Sequence, residues 1–202
     1  MPTLAVLARA AAHHRDLRVL PPLVAWYILR ARELADRREE DWARYSSISP
    51  GSLVRLLELA RGARAVVELG TAMGWTTGAL ALTGRDRTVR SYDIVRYPGR
   101  TEYLALLGAG ARGRIELVAA PGSTGPPPGG RPVDLVFIDS SHVRAETAAE
   151  FEAWRPALAT GGLVVFHDYR NPDFPGVEEA IHADLGLEGE QVADMFVWRR
   201  PG

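Results

Sequence analysis

The sequence predicts a single α/β domain built on a doubly wound, mostly parallel sheet. Three observations carry that expectation. Short apolar runs alternate with stretches of helical period, several runs end in an acid at the point where the chain turns, and a β-hairpin pattern closes the chain. The clearest unit is Ala65 to Leu69, an apolar run with Glu68 one place before its close, followed by Gly70-Thr71-Ala72-Met73-Gly74 and a helix opening at Trp75. This reads as a buried strand, a tight turn and a helix N-terminus, with glycine where the backbone must bend and where a ligand would come close.

The bulk properties set limits. At 202 residues, 47% hydrophobic and 24% charged, the chain is ordinary for one soluble domain with a single core. A net charge of −1 gives no electrostatic reason to expect nucleic acid as a partner. There is no cysteine, so no disulfide framework and no thiolate chemistry, and no apolar run of membrane-spanning length. Met1 to Ala12 is short and carries Arg9, unlike a signal peptide, so a cytoplasmic location is the expectation.

Ahead of the sheet, Thr3 to Ala12 and Pro22 to Arg44 read as helices, the second with Leu23, Trp26, Tyr27, Arg30 and Leu34 on one face. Ser49 then caps a helix with Pro50 at its first position and Leu53, Leu56, Leu57 and Ala60 along one side. Residues 1–48 are accordingly expected to form N-terminal helices, a substrate lid or oligomer contact, and residues 49–202 the catalytic domain. After the first βα unit, Thr88 to Asp93 is a second strand ending in an acid, and a carboxylate there suits a pair of ribose hydroxyls. Gly99 to Leu107 is a helix, Arg114 to Ala119 a third strand, and Pro121 to Pro132 a loop. Val133 to Asp139 is a fourth strand, Val143 to Leu158 a helix, and Leu163 to Phe166 a fifth strand running into His167-Asp168. A helix opened by Pro175 and a hairpin around Ala193-Asp194 complete the chain.

In doubly wound sheets, ligands bind beyond the carboxyl ends of the strands. Glu68 to Gly74, Asp93, Asp139 with His142, and His167 with Asp168 all fall there. Taken singly, Asp139 and Asp168 also suit helix caps, His142 a loop position and Ser123 a plain loop serine. His13, His14 and His182 read as exposed. The spacing excludes two phosphate-binding designs. A dinucleotide turn needs a second glycine two places after the first, whereas Gly70 and Gly74 stand four apart. A P-loop needs a lysine, and all 24 basic residues are arginine.

The Glu68-x-Gly70-x-x-x-Gly74 turn resembles motif I of the class I S-adenosylmethionine-dependent methyltransferases. That resemblance implies the sheet order 3-2-1-4-5-7-6 and a Rossmann-like fold closed by an antiparallel hairpin. It places Glu68, Gly70, Thr71, Gly74 and Thr76 around the cofactor, with Asp93, Ser123 and Asp139 also on the cofactor side. Phe137-Ile138-Asp139-x-x-His142, followed by Gly161-Gly162-Leu163-Val164-Val165-Phe166-His167-Asp168, resembles a narrower branch: the small metal-assisted O-methyltransferases of catechol type and of antibiotic sugars. In that branch Asp139, His167 and Asp168 would hold a divalent metal such as Mg²⁺ or Mn²⁺, and His142 would be the base. His167 departs from the oxygen ligand of the catechol-type pattern, which favours a transition metal, a second base in its place, or no metal. The resemblance further implies a small-molecule acceptor from secondary metabolism and a possible homodimer or larger homo-oligomer. Trp26, Tyr27, Trp42, Tyr45 and the segment Tyr169 to Phe174 are candidates to wall the acceptor pocket, although aromatics at helical spacing more often belong to the core. A metal-independent methyltransferase on nitrogen or oxygen is the alternative, and a nicotinamide oxidoreductase a more distant one.

Overall fold

The computed structural model describes residues 14–202. The helix expected over Thr3 to Ala12, and His13, lie outside them. Seven strands form one sheet in the order β3-β2-β1-β4-β5-β7-β6. They are β1 Ala65–Leu69, β2 Thr88–Tyr92, β3 Ile115–Val118, β4 Val133–Ile138, β5 Leu158–Phe166, β6 Glu190–Val192 and β7 Met195–Arg199. β1 pairs in parallel with β2 and with β4, β2 with β3, and β4 with β5, while β7 runs antiparallel to both β5 and β6. This is the Rossmann-like sheet and the hairpin that the sequence implied.

The helices are α1 Pro22–Arg38, α2 Asp41–Tyr45, α3 Pro50–Leu59, α4 Trp75–Thr83, α5 Arg100–Ala105, α6 Ala109–Arg112, α7 Arg144–Trp154 and α8 Pro175–Glu179. They cover the sheet in two layers, because β1 and β4 are apolar on both faces. One layer buries Val24, Tyr27 and Ile28 of α1, Leu53 and Leu56 of α3, and Ala79 and Leu80 of α4 against Val66, Leu135 and Val165. The other packs Phe151 and Trp154 of α7, with Val177 and Ile181, on Val67, Val136, Ile138 and Phe166.

Several element boundaries differ from the periodicity, each for a local reason. The helix expected from Pro22 to Arg44 breaks at Glu39, which takes the left-handed conformation at φ 55° and donates its N–H back to Ala35 and Asp36. The helix expected from Val143 to Leu158 ends at Trp154, since Pro156 lacks an N–H and turns the chain through a 3₁₀ segment, Arg155–Ala157. β5 starts at Leu158, five residues before the apolar run, and its register shifts against Val133 and Leu135, with Gly161 at φ 73°. The Pro121 to Pro132 loop contains a 3₁₀ turn, Gly122–Thr124. His14, expected to be exposed, is half-buried.

α1 and α4 meet closely enough to fix where the first turn sits. The Tyr27 hydroxyl donates to the Gly74 carbonyl at 3.1 Å, and the Tyr27 ring lies over Gly78. A Cβ at Gly78 would stand 2.5 Å from the Tyr27 ring carbon that bears the hydroxyl. Gly78→Ala should therefore destabilise the fold by about 1–3 kcal/mol in urea denaturation, the usual cost of overpacking a rigid contact; an unchanged midpoint would mean that Tyr27 moves aside freely.

Candidate active site

The first turn is built on a contact that only glycine permits. Gly70 has φ 97°, and a Cβ there would lie 1.8 Å from the Asp139 carbonyl oxygen. Its N–H donates to the Tyr92 carbonyl at 2.9 Å while the Asp139 N–H donates to Leu69 O at 2.8 Å, so β2, β1 and β4 are pinned together at their carboxyl ends. Gly74, at φ 80°, opens α4. Below the turn Glu68 is fully buried; its Oε2 accepts from Ser91 Oγ at 2.5 Å and from Thr77 Oγ1, and Ser91 Oγ pairs with Thr71 Oγ1 at 2.6 Å. Glu68 Oε1 has no hydrogen-bond partner among the described residues. Burial pushes the Glu68 carboxyl up to about 8, against the Ser91 and Thr77 hydrogen bonds, which favour the anion. Thr76 is buried on the other side of the turn, beside Ile28, Ile48 and Leu53.

At the end of β2, Asp93 is half-buried and already engaged. Its Oδ2 accepts from Ala72 N at 2.9 Å and Arg100 Nη2 at 2.6 Å, and its Oδ1 from Val95 N at 2.8 Å. Arg100 is buried and also donates to the carbonyls of Ala72 at 2.6 Å and Val95 at 2.8 Å. One guanidinium thus ties the first turn to the end of β2. Each carboxylate oxygen can accept two hydrogen bonds, so Oδ1 keeps one acceptor position. Arg100 escaped the sequence reading because it stands alone in a short polar helix.

Ser123 is exposed on the 3₁₀ turn after β3. Trp154 holds that turn by donating Nε1–H to Gly122 O at 2.8 Å. Glu150 packs against Gly122 and accepts from Ser140 Oγ at 2.6 Å, and burial pushes its carboxyl up to about 7. Glu150, eleven places past Asp139, carried no sequence signal; it reads as one more polar helix residue.

The ends of β4 and β5 bring four side chains to one point. The ligand-capable atoms of Asp139, His142, His167 and Asp168 all lie within 4.8 Å of one another. His142 Nε2 is 3.2 Å from Asp139 Oδ1 and 3.0 Å from Asp168 Oδ2. His167 Nδ1 is 2.9 Å from Asp139 Oδ1 and 3.2 Å from Asp168 Oδ2. Its other nitrogen, Nε2, faces Asp194 Oδ2 at 3.5 Å. Burial alone would raise both carboxyls, but the two imidazoles hold Asp139 and Asp168 below the usual carboxylate range. Burial would lower the histidines, yet the carboxylates raise His142 to about 9 and His167 to about 12. The four titrate as one coupled unit.

Backbone strain marks the same edge. Ala72, His142 and Asp168 adopt φ values of 44°, 60° and 54°, conformations costing about 1–3 kcal/mol each in non-glycine residues. His142 is held by stacking on Phe174, ring centres 4.3 Å apart, and its carbonyl would lie 2.7 Å from a Cβ at Gly176. Of the other proposed pocket aromatics, Tyr27 is in the core, Trp42 stacks on Tyr97 at 4.5 Å, Tyr45 is exposed, and Tyr169 is buried with its hydroxyl 2.9 Å from His182 Nε2.

A family described as a methyltransferase domain matches residues 67–169, slightly more than half of the chain, from within β1 to just past the end of β5. The chain belongs to this methyltransferase family. It is a class I S-adenosylmethionine-dependent methyltransferase. Solved methyltransferases share the fold. CalS11, described as a TDP-rhamnose 3'-O-methyltransferase of calicheamicin biosynthesis, is 20% identical with a TM-score of 0.59 over 73% of this chain and 78% of its own. TomG from Streptomyces achromogenes, involved in tomaymycin synthesis and solved with S-adenosylmethionine, is 21% identical at TM-score 0.59, covering 100% of this chain and 92% of its own. The O-methyltransferase NovP is 17% identical at TM-score 0.54, covering 77% and 81% respectively. No curated protein matches the methyltransferase in sequence.

The methyltransferase should show Glu68 in its pH response. A carboxyl raised from 4.5 to about 8 by folding binds its proton more tightly in the folded chain. Its contribution is complete below about pH 4.5 and is lost as pH rises toward about 8. The isosteric Glu68→Gln variant should therefore gain in melting temperature over the parent as pH rises through that window. A difference that stays flat would show that Glu68 is ionised throughout. Arg100→Ala should weaken S-adenosylmethionine binding about tenfold or more in calorimetry, because both the first turn and Asp93 lose their shared anchor.

Proposed function

We propose that the chain is an O-methyltransferase acting on a hydroxyl of a small sugar or aromatic molecule, assisted by a divalent cation and with His142 as base. The observation that carries this reading is the convergence of Asp139, His142, His167 and Asp168 within 4.8 Å beside the motif I turn. Two carboxylates and an imidazole from adjacent strand ends fit a divalent cation, and nitrogen among oxygens suits Mn²⁺ over Mg²⁺. The low carboxyl pKa values keep both acids ionised and ready to serve as ligands at neutral pH.

The cofactor side fits as well. Glu68 Oε1 lacks a partner among the described residues, and Asp93 Oδ1 retains one acceptor position for a ribose hydroxyl. Bound there, S-adenosylmethionine supplies an electrophilic methyl on its sulfonium. A cation between Asp139 and Asp168 would offset the negative charge that now keeps the proton on His142, and would lower the pKa of an acceptor hydroxyl. His142 then accepts the acceptor's proton at Nε2. Phe174, stacked on the ring, keeps it from swinging away, and the left-handed backbone at His142 aims it back at the strand ends. Asp139 and Asp168 stabilise the imidazolium formed.

The helices before residue 48 fit the role of a lid on the acceptor side. Trp42 stacks on Tyr97 in the segment after β2, and Glu40 accepts from the Tyr103 hydroxyl at 2.6 Å. CalS11, of calicheamicin biosynthesis, and TomG, involved in tomaymycin synthesis, support a natural-product hydroxyl.

The test uses a panel of sugar and phenolic hydroxyls with purified protein. His142→Ala should lower kcat by about 10²-fold or more while S-adenosylmethionine affinity is unchanged. Exhaustive chelation should abolish turnover, and added Mn²⁺ should restore it. Full activity after chelation would select a metal-independent methyltransferase instead, and near-normal turnover of His142→Ala would remove the histidine from the base role.

A further inference from the structure

His167 presents a question that the four-residue cluster does not answer. An imidazole can give a metal one nitrogen only if that nitrogen is free of its proton, so the remaining proton must sit on the other nitrogen. In this fold Nδ1 faces Asp139 and Asp168, and Nε2 is buried with no hydrogen-bond partner among the described residues. A buried ring N–H without an acceptor is costly. The acidic group facing it is Asp194, whose Oδ2 stands 3.5 Å away, with Oδ1 also buried and unpartnered.

Asp194 does not belong to the strand ends that build the rest of the site. It sits in the turn between β6 and β7, where Ala193 takes φ 57°. The Asp194 carbonyl accepts from Tyr169 N at 2.9 Å, which fixes this turn against the residues that follow His167-Asp168. The α3 residue Ser52, buried and itself paired with Ser49 Oγ at 3.0 Å, neighbours the Asp194 carboxyl and helps hold it below its usual range. The hairpin and α3 thus deliver a carboxylate to the back of His167.

We propose that Asp194 is a positioning residue that takes the Nε2–H of His167 and so commits Nδ1 to a divalent cation held with Asp139 and Asp168. The inference rests on the cation-assisted reading above. It explains how an imidazole serves where hard oxygen would otherwise stand: the carboxylate behind it fixes the tautomer and raises the ligand's basicity. His142, by contrast, has both carboxylates at its Nε2 and no such partner behind the ring among the described residues, consistent with a base that must gain and lose a proton.

The experiment titrates the full-length protein with Mn²⁺ by calorimetry, in the parent, Asp194→Asn and Asp194→Glu. Asparagine is isosteric and would preserve a merely structural role, whereas glutamate retains the charge. Asp194→Asn is expected to weaken Mn²⁺ binding by about 10–100-fold, Asp194→Glu by less, with S-adenosylmethionine affinity unchanged in both. In parallel, ¹⁵N spectra of ring-labelled histidine in the Zn²⁺-loaded parent should show His167 bound through Nδ1 and protonated at Nε2. Mn²⁺ affinity within about twofold of the parent in Asp194→Asn, or His167 metallated at Nε2, would overturn the role of Asp194 while leaving the cation site standing. A parent that binds S-adenosylmethionine but no Mn²⁺ would overturn both.

Discussion

Everything at the catalytic edge depends on how closely β1 and β4 approach at their carboxyl ends. The Asp139 carbonyl occupies the space where a side chain at position 70 would be. Because nothing separates the two backbones, the motif I turn and the Asp139 side chain become neighbours by construction. The parallel register continues the effect: Leu69 stands opposite Ile138, and Ile138 opposite Phe166, so the residues just beyond each strand leave the sheet at one level. A bulkier residue at position 70 would move the cofactor turn and the acidic cluster apart together.

The cluster itself is an alternation of charge. Two carboxylates would repel at this distance, and two buried imidazoles would titrate low; interleaved, each pair cancels the penalty of the other. This balance explains how the fold keeps four ionisable groups at a half-buried edge before any ligand arrives. It also sets the cost of change, since removing one member leaves its neighbours with uncompensated charge. The strained backbone at His142 and Asp168 shows that the geometry is imposed by surrounding packing, with Phe174 and the close approach of Gly176 as the visible constraints.

The sheet order followed from the family resemblance, whereas the strand ends and the converging acids were legible because they arise from local pattern: an apolar run ending in Glu68, Asp93, Asp139 or His167-Asp168 says where a strand stops and which group it presents. The glycine spacing separated this turn from phosphate-binding ones for the same reason. What stayed hidden is tertiary. Arg100, Glu150 and Asp194 matter through what they meet from other elements; the first two stand at no strand end, and Asp194 read only as a hairpin turn residue. The break at Glu39 was equally invisible, since its left-handed turn falls within a charged run that suits a continuing helix. For Tyr27 helical spacing gave a face that suited core or pocket, and only the fold shows that this face is turned onto α4.

The contact between Gly70 and Asp139 also orders events during synthesis. The motif I sequence leaves the ribosome early, but its turn is shaped by a carbonyl made only after β2, β3 and β4 have followed. A nascent chain ending before Asp139 therefore carries the fingerprint without the shape of its turn, which arises late, from the closing of the central strands. Non-local strand pairing of this kind is slow. During that interval the apolar β1, with its buried glutamate, has no partner on one side, and α1, already made, has only part of its docking surface. The methyltransferase is thus a protein whose most recognisable stretch acquires its meaning only when most of the chain is complete.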